Sequence, residues 1–358
     1  MQPSNPHILK LDQFLTELDR FDLIIDVRSP AEFALDHIPG AVNYPVLDNE
    51  ERAKIGTLYK QVSPFAAKKL GAALVSRNIA HHLEDYLLEM PREWRPLIYC
   101  WRGGERSGAF THILNRIGWK AMQLEGGYQG FRRTVIDGLE AAAKQFSFHV
   151  ICGMTGSGKT RVLQEAQQYD SQILDLEDLA IHRGSVLGNE PNIEQPSQKG
   201  FETALWNALR SLDPTKPVLV ESESKKVGGV HIPDALMEKI RNGACIELRS
   251  STQTRVSWLI REYHHFLSDT DNFKRKLALL TAHYGKVQIA QWNEAIDAKQ
   301  FPSLVEELLV MHYDPSYQSS IVRNFPQYKI ENFVQLENDS DEAFAKAAKA
   351  IVAKLNLN

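Results

Sequence analysis

With 358 residues, 43% of them hydrophobic and 24% charged, the chain is ordinary globular material, long enough for two or three domains, and its core needs no covalent staples. Its three cysteines, Cys100, Cys152 and Cys245, form no close pair, which argues against a disulfide framework and a CxxC zinc site and implies a reducing compartment. The net charge of −4 gives no global sign of nucleic-acid binding, so such a partner needs a local patch; with no basic and apolar leader in Met1 to Lys10, and no run approaching about 18 apolar residues, the expected location is the cytoplasm, with no membrane attachment.

Phe21-Asp22-Leu23-Ile24-Ile25-Asp26-Val27-Arg28 reads as an apolar strand ending in an acid and a base, which alone would be an unremarkable ion pair. Ser29 caps a helix with Pro30 at its first position and Glu32-Phe33 within it, and Asp36-His37-Ile38-Pro39-Gly40-Ala41-Val42-Asn43 turns into another short strand. The stretch from Glu51 to Leu70 carries turn residues and mixed charge. It is expected as an insertion near the active-site rim, running on as a helix to Met90; the alternative is a solvated, structurally neutral insertion.

Leu97-Ile98-Tyr99 is a buried strand, and Phe110, Ile113, Leu114 and Ile117 form the inner face of a following helix. Cys100-Trp101-Arg102-Gly103-Gly104-Glu105-Arg106-Ser107 is therefore a strand-to-helix loop. Backbone N–H groups at the helix N-terminus, with Arg102 and Arg106, favour an anion, and such surroundings favour the thiolate of a cysteine. Cys100 is a nucleophile candidate, against the bland alternative of a small buried hydrophobe. The glycine-rich turn Leu124-Glu125-Gly126-Gly127-Tyr128-Gln129-Gly130-Phe131 is expected to let backbone pass close to that loop.

In this order, the strand with Asp26 and Arg28, the Glu32-Phe33 helix, the His37-Ile38-Pro39-Gly40-Ala41 turn and the cysteine loop resemble the rhodanese domain, over about residues 10–137. The resemblance implies a rhodanese-like domain at 1–137 with Cys100 catalytic and Asp26 and Arg28 supporting its loop. The commonest rhodanese pattern separates cysteine from arginine by four residues, whereas five lie between Cys100 and Arg106. That is also the spacing of cysteine phosphatases. A wider ring of amides, Gly103, Gly104 and Ser107 included, suits a tetrahedral anion: phosphate, thiophosphate or selenophosphate. A phosphatase reading stays open on spacing alone.

Val135 to Gln145 reads as a helical segment leading into a connector over 138–147, and a P-loop α/β domain is expected over 148–250. The strand Phe148-His149-Val150-Ile151-Cys152 enters Gly153-Met154-Thr155-Gly156-Ser157-Gly158-Lys159-Thr160, a complete GxxxxGK[ST] loop opening a helix. Its amides enclose a phosphate, Lys159 neutralises charge, and Thr160 can bind Mg²⁺ or an oxygen. Cys152 and Cys245, each in an apolar run, read as core. Asp175 and Glu221 close two further strand candidates and could hold metal-bound water, a plain strand-end acid being the alternative for each. Lys225-Lys226-Val227-Gly228-Gly229 reads as a mobile basic loop. A helical C-terminal region is expected over 251–358, in which Arg255, Trp258, Arg261, Tyr263, His264, His265, Phe273, Lys274, Arg275 and Lys276 interleave bases with aromatics. Such a pattern can hold unpaired RNA, but packing of an amphipathic helix is the favoured reading. His312 to Tyr317 reads as a turn, and Asp341 to Leu357 as an amphipathic helix.

A thiolate loop and a P-loop in one chain, in that order, resemble the bacterial tRNA 2-selenouridine synthase family over nearly the whole sequence. The resemblance implies replacement of sulfur by selenium at C2 of the wobble 2-thiouridine of tRNA, with selenophosphate and geranyl diphosphate as co-substrates and an S-geranyl intermediate. It further implies Cys100 carrying selenium as a selanylcysteine, with Arg102, Arg106 and the loop amides on the phosphate part. The alternative enzyme is an ATP-dependent tRNA sulfurtransferase with a Cys100 persulfide; a non-catalytic nucleotide or sulfur sensor is the alternative from another class.

Overall fold

The computed structural model describes residues 7–185, 187–189 and 193–355, so most of the stretch read for a leader lies outside the described residues. The chain forms two compact units, one of residues 1–138 with 202–207, the other of 139–201 with 208–358. Among the described residues no helix is long and apolar enough to cross a membrane.

The first unit holds strands β1 (Ile8–Leu9), β2 (Leu23–Asp26), β3 (Ala41–Asn43), β4 (Pro96–Tyr99) and β5 (Met122–Leu124) in one sheet of order β1-β5-β4-β2-β3. All four pairings are parallel. Around them lie α1 (Leu11–Glu17), α2 (Pro30–Leu35), α3 (Asn49–Gln61), α4 (Pro64–His82), α5 (Glu105–Ile117) and the first part of α6 (Gly127–Gln145). Ile25, Val27 and Ile98 from the sheet region pack with Phe110 and Leu114 of α5 and with Val75 and Ile79 of α4. The helix at Pro30 starts as the sequence dictates: Ser29 and Glu32 form a capping box.

The insertion between β3 and β4 is more regular than its turn residues suggest. Asp48 accepts from Glu51 N at 2.8 Å, its own N–H donates to Glu51 Oε2 at 3.2 Å, and this box starts a helix that runs through Gly56 and Thr57. After the two-residue link Val62-Ser63, Ser63 Oγ accepts from Ala66 N and Pro64 opens α4. The α-helix ends at His82, and a wider-wound turn covers Leu83–Leu87, short of Met90.

The second unit contains β6 (Phe148–Cys152), α7 (Lys159–Ala166), β7 (Gln172–Leu174), α8 (Leu176–Ala180), α9 (Gln198–Arg210, outside its 202–207), β8 (Val218–Glu221), β9 (Lys226–Val227), β10 (Val230–His231), α10 (Asp234–Arg241) and β11 (Ala244–Arg249). There follow α11 (Thr252–Glu262), α12 (His264–Ser268), α13 (Thr270–Ala278), α14 (Thr281–Asp297), α15 (Phe301–Leu308), α16 (Asp314–Asn324), β12 (Phe333–Gln335) and α17 (Asp341–Leu355). A parallel sheet of order β12-β11-β6-β8-β7 forms its centre.

Two expectations change here and one is extended. Residues 251–358 form the expected helical region with one strand added: β12 pairs with β11, and α17 packs Phe344, Ala347 and Ile351 into the same core as Val162 and Leu163 of α7. A three-residue strand is too short for its alternation to register in sequence. Lys225 to Gly229 is no loose loop but the start of the antiparallel hairpin β9–β10, turned at Gly228 with φ +59°. His312 to Tyr317 is helical, with Pro315 in the first turn of α16.

In the interleaved basic and aromatic segment, packing wins. Phe266 and Phe273 join Leu277, Trp292 and Leu308 in an apolar cluster. Arg255 is 2% exposed and pairs with Asp314, Arg261 donates to Asp339 O, and Lys274 pairs with Asp297.

The first unit buries a charged pair: Arg28, 1% exposed, binds the carboxylate of Asp26, 0% exposed, through its backbone N–H, Nε and a terminal nitrogen and also donates to Asp36 O. Asp26→Asn leaves that guanidinium without its counter-charge. The expected loss is about 3–5 kcal/mol, read as a shift of the urea midpoint followed by a probe in this unit; a change below about 1 kcal/mol would contradict the pairing.

Candidate functional site

Cys100 follows β4, which connects onward to β5 on one side while its other neighbour, β2, connects onward to β3 on the other. Its Sγ, in a residue 3% exposed, accepts from Gly104 N at 3.3 Å and from Ser107 Oγ at 3.1 Å. Gln123 of β5 orients that hydroxyl, its Nε2 donating to Ser107 Oγ at 2.8 Å and to Gly104 O at 3.0 Å. Two donors aimed at one sulfur stabilise negative charge on it.

The loop is held by close backbone contact. Tyr128 N and Gln129 N donate to Cys100 O and Trp101 O at 2.8 and 2.9 Å. A Cβ on Gly127, where φ is +52°, would fall 2.3 Å from Cys100 O, and one on Gly103, at φ +64°, 2.5 Å from Leu124 O. Glycine is the residue that both conformation and space allow there. Tyr128 then lies beneath the Arg28 guanidinium, 4.0 Å from it, so the Asp26–Arg28 pair supports the turn that supports the cysteine.

The two arginines are placed differently. Arg102 is exposed and donates to Gln129 Oε1 at 3.1 Å. Arg106 is largely buried and donates to Glu32 Oε2 at 3.1 Å; Arg52 of α3 lies 3.5 Å from the same oxygen. Burial raises the Glu32 carboxyl, but Arg106, Ser29 N and Arg52 outweigh it and hold the group below its ordinary value.

In the second unit the glycine-rich loop leaves β6, flanked by β8 and β11, and α7 starts at Lys159. Gly153, Gly156 and Gly158 have positive φ; a Cβ on Gly153 would meet Leu248 O at 2.7 Å. The C-terminal helices fasten this loop: Arg255 Nε donates to Thr155 O at 2.8 Å, and Gly153 N donates to Tyr317 Oη at 2.6 Å. Lys159 Nζ donates to Gly153 O at 2.9 Å, and Ser157 is buried. The loop amides and the helix N-terminus suit a phosphate.

Three carboxylates meet beside it. Thr160 Oγ1 is 3.0 Å from both Glu177 Oε2 and Glu221 Oε2, and Glu177, Glu221 and Glu223 offer oxygens within 4.8 Å of one another. Burial first, then repulsion from Glu223, pushes Glu177 up to about 8 despite Lys159; burial and Glu177 likewise raise Glu221. Glu221 is 1% exposed and its Oε1 has no hydrogen-bond partner. Hard oxygen donors with an unpaired buried oxygen among them fit a divalent cation such as Mg²⁺. Asp175 stands apart in role, accepting from Asp178 N at 2.9 Å as the cap of α8 and from Gln164 Nε2 at 3.0 Å.

The cleft lined by Lys159, Thr160, Glu177, Glu221 and Glu223 shares Thr155, Ser185, Leu259 and Tyr263 with a second, narrow pocket. That pocket is apolar, walled by Ile260, Phe266, Phe273, Phe301, Leu308 and Leu309. Sequence reasoning passed over Glu32, Gln123, Glu177 and Glu223. The last two had a signal, since each stands two residues after an acid already singled out; Glu32 was noticed only as part of a helix, and Gln123 left no mark at all.

A family model described as the tRNA 2-selenouridine synthase AAA domain matches residues 146–335, and one for the rhodanese-like domain matches 10–134. The tRNA 2-selenouridine synthase of Nitrosomonas europaea is 38% identical over 67% of this chain and 63% of its own length, so the chain spans less than two thirds of that relative. The enzyme of that name from a Sulfurovum species is 32% identical over 84% of this chain and 89% of its own. Among solved structures, a rhodanese-related protein of Thermoplasma volcanium is 16% identical, covering 36% of this chain and 91% of its own, with a TM-score of 0.24. With its P-loop domain matched over more than half of the sequence, and with that second relative aligned almost end to end, the chain belongs to the tRNA 2-selenouridine synthase family.

Proposed function

We propose that this protein is a transferase of the cytoplasm that replaces sulfur with selenium at C2 of the wobble 2-thiouridine of tRNA, by way of an S-geranyl intermediate. The observation that carries this reading is the polar phosphate cleft sharing its wall with an apolar pocket, a match for a prenyl diphosphate with a charged head and a hydrocarbon tail. The thione sulfur attacks C1 of geranyl diphosphate, the C–O bond breaks, and diphosphate departs into the loop of Gly153, Thr155, Gly156, Ser157 and Gly158, where Lys159 stabilises its charge. A divalent cation held by Glu177, Glu221, Glu223 and Thr160 would add charge neutralisation on the leaving group.

Alkylation makes the sulfur a thioether. The selenium of selenophosphate then attacks C2, the sulfur leaves with a proton as geranylthiol, a far better leaving group than sulfide, and water cleaves the P–Se bond to release phosphate. The cysteine loop serves this second step. Cys100 handles selenium with Gly104 N–H and Ser107 Oγ stabilising anionic charge, while Arg102, Arg106 and the amides of Gly103 and Gly104 serve the phosphate part. Reaching that anion requires Arg106 to share or exchange its contact with Glu32.

Mass spectrometry of tRNA nucleosides tests both steps. Lys159→Ala is expected to abolish geranylated 2-thiouridine, and a normal geranylation rate in that variant would refute the P-loop assignment. Cys100→Ala is expected to block selenium incorporation while geranylation persists, so equal loss of both would count against separate sites. Glu221→Gln should weaken Mn²⁺ binding, followed by electron paramagnetic resonance, by about tenfold or more. Nucleotide hydrolysis stimulated by tRNA, without geranylation, would instead favour an ATP-dependent sulfurtransferase.

A further inference from the structure

We propose that the tip of the α3–α4 hairpin is the surface that holds a single-stranded loop of the RNA substrate, a proposal that rests on tRNA being the substrate. From Arg52 to Leu83 the chain contains Arg52, Lys54, Lys60, Lys68, Lys69 and Arg77 and not one Asp or Glu, within a protein of net charge −4. Arg52 and Arg77 are committed to Glu32 and Glu51. Lys54, Lys60, Lys68 and Lys69 are exposed, and among the described residues none of them pairs with a carboxylate. This is the local patch that the overall charge conceals.

Large apolar side chains stand among these lysines. Tyr59 in the last turn of α3, Val62 in the link and Phe65 in the first turn of α4 are 53%, 73% and 70% exposed, and Lys69 lies over the Phe65 ring at 5.1 Å. Folding gains nothing from leaving two aromatic rings in water at one helical corner. Rings with exposed faces beside unpaired cations match splayed bases flanked by phosphates: the rings stack, and the ammonium groups replace counterions. The other end of the hairpin is fixed to chemistry in the same unit, because Glu32 receives both Arg52 of α3 and Arg106 of the cysteine loop. The basic and aromatic segment of α11 to α13 offers no comparable surface, its bases and rings being largely paired or buried.

The test uses the full chain and an anticodon stem-loop RNA in fluorescence anisotropy over a salt series. K60Q/K68Q/K69Q should lose about tenfold or more in affinity, and the slope of log K against log salt should fall in magnitude by about 2, while K60R/K68R/K69R keeps wild-type values. Phe65→Ala should lose about tenfold on the stem-loop yet bind a fully paired duplex unchanged. Unaltered thermal midpoints identify the variants as folded. If the wild type binds and the glutamine variant binds equally well with the same slope, this surface is refuted and the substrate reading stands. A wild type that binds no tRNA refutes both. Sedimentation of the wild type with phosphatidylglycerol vesicles that tRNA does not displace would assign the tip to a membrane surface and overturn the proposal.

Discussion

Both units obey one constraint: in a parallel sheet, the carboxyl end of a strand whose onward connection and that of a neighbouring strand run to opposite sides is where a loop can open without being covered by its own crossovers. β4 hands over to Cys100 and β6 to Gly153, and each continues into a loop that begins a helix. Each loop runs into a helix N-terminus, and each needs glycine where another backbone comes within contact distance. The difference lies in what the strand delivers. One ends in a sulfur that receives two hydrogen-bond donors, the other in a glycine that leaves room for a phosphate.

Charge burial is handled in two opposite ways. The Asp26–Arg28 pair is closed: its hydrogen bonds are internal, and Asn43 Nδ2 ties down Asp26 O and Arg28 O at 2.9 Å each. Such a pair contributes positional specificity more than net stability, since desolvation offsets much of its attraction. The Glu177, Glu221 and Glu223 group is open, with like charges held together in a poorly hydrated place and an oxygen left without a partner. A folded protein keeps that arrangement where a proton or a cation is meant to complete it, so the closed pair reads as scaffold and the open cluster as site.

How much of this the sequence disclosed follows from the range of each interaction. The cysteine loop and the P-loop were legible because their residues are contiguous and their spacing is itself the geometry. The passage of Gly126 and Gly127 beside the cysteine loop was legible because doubled glycine after a strand has few other uses. The place of β12 in the sheet was not, since its three residues are defined by their partner strand and not by their own pattern. Glu51 to Gln61 carried Gly56 and Thr57, which count against a helix by about 1 kcal/mol or less each; the Asp48 capping box and packing on α4 outweigh them. Residue type alone does not tell apart the stretches that hold Phe65 and Phe273, the first read as turn residues of mixed charge and the second as bases interleaved with aromatics. Only burial separates Phe273, 4% exposed, from Phe65, 70% exposed.

The sharing of a wall between polar cleft and apolar pocket bears on which diphosphate the second unit would take. A P-loop grips phosphates and is indifferent to what they carry, so selectivity has to come from the remainder of the ligand. A nucleobase placed among Phe266, Phe273, Phe301 and Leu308 would lose water from several donors and acceptors with only the hydroxyls of Thr155, Ser185, Tyr263 and Tyr313 in the lining to replace it, at a cost of about 1–3 kcal/mol for each group left unpaired. A ten-carbon isoprenoid tail has no such groups and gains about 0.8 kcal/mol for each buried carbon, up to about 8 kcal/mol when fully enclosed. The proposed prenyl diphosphate rests on that contrast, since Lys159 and the loop amides would meet only the phosphates that both classes share.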